Sequence, residues 1–180
     1  MELKGDPDGV VVQAVLAGDV DQYGVLVRRY QNRYARYAAQ LLGSADDAED
    51  AVQDAFVRAY DQLAQCRDPD NFAGWFFLIL RNRCFAQRRR FRREAGLDSV
   101  PNVPAADNVE APLEQAERQK ALQGALAMLT MEQREVFVLK HVEELSYEEI
   151  AARVGTTVAA LKMRMHRAYD RLRELLKEMR

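Results

Sequence analysis

The sequence predicts an all-α protein, two small helical domains joined by a flexible linker. Three observations carry that expectation. No stretch alternates as a half-buried strand would, whereas apolar residues recur at the three-and-four spacing of amphipathic helices along most of the chain. Glycine or proline stands where the periodic runs end. Periodicity vanishes over residues 94–113, EAGLDSVPNVPAADNVEAPL, which hold three of the five prolines and no basic residue, as a linker does. The expected division is a first domain over 1–93, an acidic linker over 94–113 and a second domain over 114–180. With 180 residues, 48% hydrophobic and 30% charged, the chain can bury two small cores and is not disordered overall.

Taken in order, a first helix is expected over residues 9–18, stopped by Gly18-Asp19. A second runs from about Asp21 to Leu42, with Tyr30, Tyr34, Tyr37 and Leu41 at helical spacing and Gly43 as its stop. Ser44-Ala45-Asp46-Asp47 resembles a capping box with Asp in place of Glu, opening a third helix to about Ala64. The run QCRDPDN over residues 65–71 is turn chemistry. A fourth helix starts near Phe72 and continues into the arginines that follow. Helical signal resumes near Glu114, with Leu122, Leu126 and Leu129 in one stripe. Thr130 with Gln133, and Ser146 with Glu149, are two further capping boxes. Gly155 ends the short helix after Ser146, and Thr157 can cap a last helix to near Met179.

The formal net charge of −2 argues against a nucleic-acid binder only until it is read by segment. Residues 1–80 hold 7 basic and 13 acidic side chains, or −6; residues 81–93 hold seven Arg and no acid, or +7. Residues 94–117 hold six acids and no base, or −6; residues 118–180 hold 12 basic and 9 acidic, or +3. Blocks of this kind mark separate surfaces for separate partners. The N-terminus has no secretory-leader pattern, and the longest apolar run, residues 75–80, is far too short for a bilayer. No membrane insertion is therefore expected. Cys66 and Cys84 form no CxxC and have no histidine nearby, so buried thiols in a reducing cytoplasm are expected, with no disulfide and no metal site. No catalytic residue, cofactor or small-molecule substrate is expected either, because no phosphate loop, nucleophile elbow or metalloprotease motif occurs.

Three surfaces remain. The run LSYEEIAARVG-TT-VAALKMRMHRAYDRLRELL reads as a helix-turn-helix whose second helix enters the major groove. Its inward stripe is Leu161, Met165, Ala168, Leu172 and Leu175. Its outward face carries Ala159, Met163, His166 and Arg167, flanked by Lys162 and Arg164. On the third helix Ala48, Val52, Ala55, Phe56, Ala59 and Leu63 form an apolar stripe, opposite a column of Asp47, Asp50, Asp54 and Asp61. Repulsion in that column costs a few tenths of a kcal/mol per pair, so either water or a basic partner faces it. On the fourth helix FAGWFFLIL is apolar all round, with at least two of Trp75, Phe76 and Phe77 assigned to the core. In RNRCFAQRRRFRR, arginines interleave with Phe85 and Phe91, the combination that grips unstacked single strands.

DAEDAVQDAFVRAYDQL, then NFAGWFFLILRNRCFAQRRR, a Pro-rich linker, and LTMEQREVFVLKHVEELSYEEIAARVGTTVAALKMRMHRAYDRLRE together resemble a bacterial extracytoplasmic-function sigma factor. The resemblance covers roughly residues 10–178, with two motif-bearing regions in the right order. It implies core RNA polymerase, promoter DNA and an anti-sigma factor as partners. By resemblance Asp47, Glu49, Asp50, Gln53, Asp54 and Phe56 face the clamp helices of the polymerase largest subunit. The loop with Asp68, Asp70 and Asn71, and the helix with Trp75, Asn82, Arg83, Arg88, Arg89 and Arg90, match the part that captures the melted −10 element. Thr157, Ala159, Ala160, Lys162, Met163, Arg164 and Arg167 match the −35 reader, in a domain that also meets the flap of the second-largest subunit. The linker threads the polymerase cleft in such proteins, and no appended regulatory domain is expected. Two departures stand out. The family's recognition helix often reads GTVKSR where residues 159–164 read AALKMR, and Ala86 stands where an Asp is usual. Apolar contact with thymine methyls therefore gains weight. Two other readings stay open: an interaction protein that titrates an anti-sigma factor, and a stand-alone helix-turn-helix regulator.

Overall fold

The computed structural model describes residues 5–94 and 121–178; linker residues 95–113 and the expected helical start at Glu114 lie outside them. The chain divides into two compact units, Met1–Phe91 and Arg92–Arg180. Every regular element among the described residues is helical.

The first unit contains α1 (Asp8–Leu16), a 3-10 turn (Val20–Gln22), α2 (Tyr23–Leu42), α3 (Ala45–Asp61), 3-10 turns at Leu63–Gln65 and Pro69–Asn71, and most of α4 (Phe72–Glu94). Gly43 ends α2 in the left-handed region (φ 80°), with its amide donating to the Ala39 carbonyl. A residue with a Cβ would be strained there. The chain reverses at once, and Ser44 caps α3 by accepting from the Asp47 amide at 3.2 Å. The other half of the predicted box is not made. Asp is one methylene shorter than Glu, and the Asp47 carboxylate instead receives Gln87 Nε2 of α4 at 3.3 Å.

The core of this unit is aromatic. Phe56 and Phe76 stack at 4.2 Å between ring centroids, Tyr34 lies 5.0 Å from Phe76, and Tyr37 lies 5.1 Å from Phe77. Phenol groups that enter the core need acceptors. Tyr34 donates to the Ala73 carbonyl and Tyr23 to the Phe56 carbonyl, both at 2.6 Å, so α2 is stitched to α4 and to α3. Phe76 and Phe77 are buried, as expected for two of the three aromatics, and Trp75 is half-buried. Buried Asp8 is less expected: it accepts from Arg29 and from the Tyr30 hydroxyl, so its charge is matched where α1 meets α2.

The second unit comprises α5 (residues 121–127), α6 (Met131–His141), α7 (Tyr147–Val154) and α8 (Val158–Glu178). Ala125, Leu129, Ala168, Leu172 and Leu175 form its core, lined by Leu126, Phe137 and Leu176. Both predicted capping boxes are complete, Thr130 with Gln133 and Ser146 with Glu149. Arg134, itself buried, donates from Nε to the Leu126 carbonyl at 2.8 Å and so closes the α5–α6 corner.

Candidate functional site

Three surfaces carry the candidate residues, two in the first unit and one in the second. On α3 the side chains of Glu49, Asp50, Gln53 and Asp54 are exposed along one flank, and Asp47 is half-buried. The apolar stripe Ala48, Val52, Ala55, Phe56 and Ala59 turns inward as the spacing predicts. Phe56 therefore does not belong to the outer face on which the resemblance placed it. At 6% exposure it supports that face from beneath, through its stack on Phe76. Gln53 Nε2 donates to Glu49 Oε1 at 3.3 Å.

The arginine half of α4 is tied to that acidic helix. Arg83 forms an ion pair with Asp54, and Gln87 donates to both the side-chain and the backbone oxygen of Asp47. Two residues assigned to different partners, Asp54 and Arg83, thus hold each other. Arg81 lies over the Phe85 ring, 4.6 Å from its centroid. Beyond them Asn82, Arg89 and Arg90 are exposed and Arg88 is half-buried. Arg89, Arg90 and Arg93 are thus presented at one helix end, and no acid stands in the sequence between Arg81 and Arg93.

The loop before α4 presents Asp68, Asp70 and Asn71 to solvent. Its inner side is fastened by Cys66, a buried thiol 3.4 Å from the Asp68 carbonyl; burial pushes that thiol's pKa up. Asn71 immediately precedes α4, and its carboxamide lies against Gly74, where a Cβ would come within 2.5 Å of Oδ1. The half-buried indole of Trp75 rests on Phe72, with centroids 5.9 Å apart.

In the second unit, Gly155 ends α7 in the left-handed region (φ 70°), and Thr157 caps α8 by accepting from the Ala160 amide at 3.1 Å. Helix, glycine turn and helix take the order the sequence predicts. Leu161, Met165, Ala168, Leu172 and Leu175 are all buried, which fixes the rotation of α8. Ala159, Lys162, Met163, His166 and Arg167 are exposed and Arg164 is half-buried, with Met163 at 57% exposure. Ala160 is half-buried. One feature escaped sequence reading: Lys140 of α6 and Lys162 of α8 both lie over the Tyr147 ring, at 5.2 and 5.9 Å. The three residues come from three helices, so no linear spacing signals them.

Residues 26–94 match the family model for Sigma-70 region 2, and residues 119–172 match that for Sigma-70, region 4. The ECF RNA polymerase sigma factor SigE of Mycolicibacterium smegmatis is 37% identical over 155 residues, covering 84% of this chain and 60% of that one. The RNA polymerase sigma-E factor of Streptomyces avermitilis is 34% identical, covering 88% of this chain and 87% of that one. The sigma factor RpoE from Bartonella quintana, solved in complex with the anti-sigma factor NepR, has a TM-score of 0.64 and 32% identity over 90% of this chain and 99% of that one. The chain belongs to the extracytoplasmic-function RNA polymerase sigma factors. No helix among the described residues is long and apolar enough to cross a membrane.

Proposed function

We propose that this sigma factor selects promoters for core RNA polymerase through three divided contacts. The carboxylates of α3 dock on basic clamp helices of the largest subunit. The loop Asp68–Asn71 and the arginine half of α4 hold the melted −10 strand. The exposed face of α8, from Thr157 to Arg167, reads the −35 duplex, while the second unit also meets the flap of the second-largest subunit. The chain contributes specificity, and the polymerase carries out the chemistry.

The observation that carries this reading is the pairing of opposite surfaces within one unit: the acidic flank of α3 lies beside the arginine half of α4, joined by Asp54–Arg83 and Asp47–Gln87. Beyond those internal pairs, Glu49 and Asp50 stay exposed on α3 and Arg89 stays exposed on α4, surfaces that suit outside partners of opposite sign, polymerase and nucleic acid. Free in solution, two small footprints bind promoters weakly. Docked on the polymerase, each contact raises the effective concentration of the other. Because Met163 and Ala160 replace the polar residues common in the family, −35 readout leans on thymine methyls. The sigma factor RpoE is solved in complex with the anti-sigma factor NepR, which supports an anti-sigma factor as a partner of this chain.

Run-off transcription with core polymerase tests the reading directly. Arg88, Arg89 and Arg90 changed together to Ala should lose permanganate-reactive thymines at −10 and retain polymerase capture. Unaltered footprints would refute the strand-gripping role, and duplex binding to a palindrome without polymerase would favour a stand-alone regulator.

A further inference from the structure

The −10 loop has a seat, and that seat is the N-terminal turn of α1. Pro7, at the N-cap of α1, brings no side chain to the first-turn amides, and the acid of that turn, Asp8, is turned into the unit toward Arg29 and Tyr30. The positive end of the helix is thus left for another anion. The carboxylate of Asp70 lies beside that turn, so close to Gly9 that a Cβ there would fall 2.3 Å from Oδ1 and 2.9 Å from Cγ. A Cβ at this position would have to push the Asp70 side chain aside, and no unusual backbone angle calls for glycine, because Gly9 lies within α1 itself. The seat is in turn held from behind, since the Tyr30 ring that bonds Asp8 also packs 5.9 Å from Phe72, the first residue of α4.

We propose that Gly9, with Asp8, Arg29 and Tyr30 behind it, positions the loop Asp68–Asn71 and thereby sets how strictly it accepts the −10 base, without touching DNA. The inference rests on reading that loop as the strand-capturing element. Gly9→Ala is the probing variant. Its methyl group must displace the Asp70 side chain, which is flexible and can swing aside, while alanine in a helical turn favours the fold. The chain should therefore fold and assemble with polymerase normally.

Holoenzyme carrying Gly9→Ala, Asp70→Ala, both together, or Asp68→Ala with Asn71→Ala would be assayed for open-complex formation on promoters differing at each −10 base. Gly9→Ala should narrow discrimination between the best and next-best base by about fivefold, the lower end of what one specified base contributes. Thermal unfolding of Gly9→Ala should not fall below that of the parent chain, and capture on polymerase should not move. The double variant should be no worse than Asp70→Ala, because both changes act on one contact. Full discrimination in Gly9→Ala, or effects of Gly9→Ala and Asp70→Ala that simply multiply, would overturn the proposal while leaving the loop's role intact. Unaltered discrimination in the Asp68→Ala, Asn71→Ala protein would overturn both.

Discussion

Asp50 and Asp54 stand one helical turn apart on α3, and their surroundings differ: Asp54 pairs with Arg83, whereas Asp50 projects from the exposed flank. Asp50→Lys should therefore weaken polymerase capture in pull-down at least tenfold with no change in thermal midpoint, since surface substitutions away from special features stay within about 0.5 kcal/mol. Asp54→Lys should do the same and also free Arg83, so its promoter complexes should become more salt-sensitive. Cys66 offers a check on the loop. Burial pushes its thiol upward, so at neutral pH it should react with a disulfide reagent far more slowly in the native protein than after denaturation. Single residues are also where sequence reading met its limit. The α3 stripe was legible because period alone decides which side chains turn inward. The place of Phe56 on the outer flank came from resemblance, and the same period put it in the core. The burial of Asp8 and Arg134 could not be read, because their partners lie on other helices.

Helix ends were the most legible elements, since a cap is a local device. Ser44, Thr130, Ser146 and Thr157 all accept a backbone amide as their positions predicted. Ser44→Ala should cost the first unit about 1 kcal/mol, measurable by chemical denaturation. Glu149 lends its cap a pH dependence. Hydrogen bonding to the Ser146 backbone amide, then to its hydroxyl, lowers the Glu149 pKa. Its contribution is thus present above the unfolded carboxylate's range and is lost as pH falls through the lowered folded value. Protection of the α7 amides, corrected for the pH dependence of intrinsic exchange, should fall on acidification into that window, and Ser146→Ala should blunt the change. The 3-10 turns at Val20–Gln22, Leu63–Gln65 and Pro69–Asn71 were less legible. Each is a single turn, too short for any period, so α3 was drawn to Ala64 where it stops at Asp61.

For the whole molecule, charge read by segment separates an acidic flank, an arginine run and a basic helix-turn-helix that the near-neutral total conceals. If Arg88, Arg89 and Arg90 contact the melted strand, removing them should lower the log–log salt slope of open-complex formation by about 2, at the single-strand increment per phosphate. An unchanged slope would place those arginines off the DNA. Two units and their order were visible in the sequence. The junction of α1 with the loop was not, because Gly9 and Asp70 are distant in the chain and neither belongs to a periodic pattern.

The unbroken run of α4, from the Phe76 stack to Arg93, has a thermodynamic corollary. The arginine end of that helix is held to α3 through Arg83 and Asp54, away from the packed aromatic core; if an anionic strand binds there as proposed, it is also a ligand of the native state. Single-stranded oligonucleotide should raise the melting temperature of the first unit with concentration, as mass action requires. Promoter engagement and folding would then be two titrations of one equilibrium, and a cell that loosens the core by heat would weaken the grip on DNA in the same step.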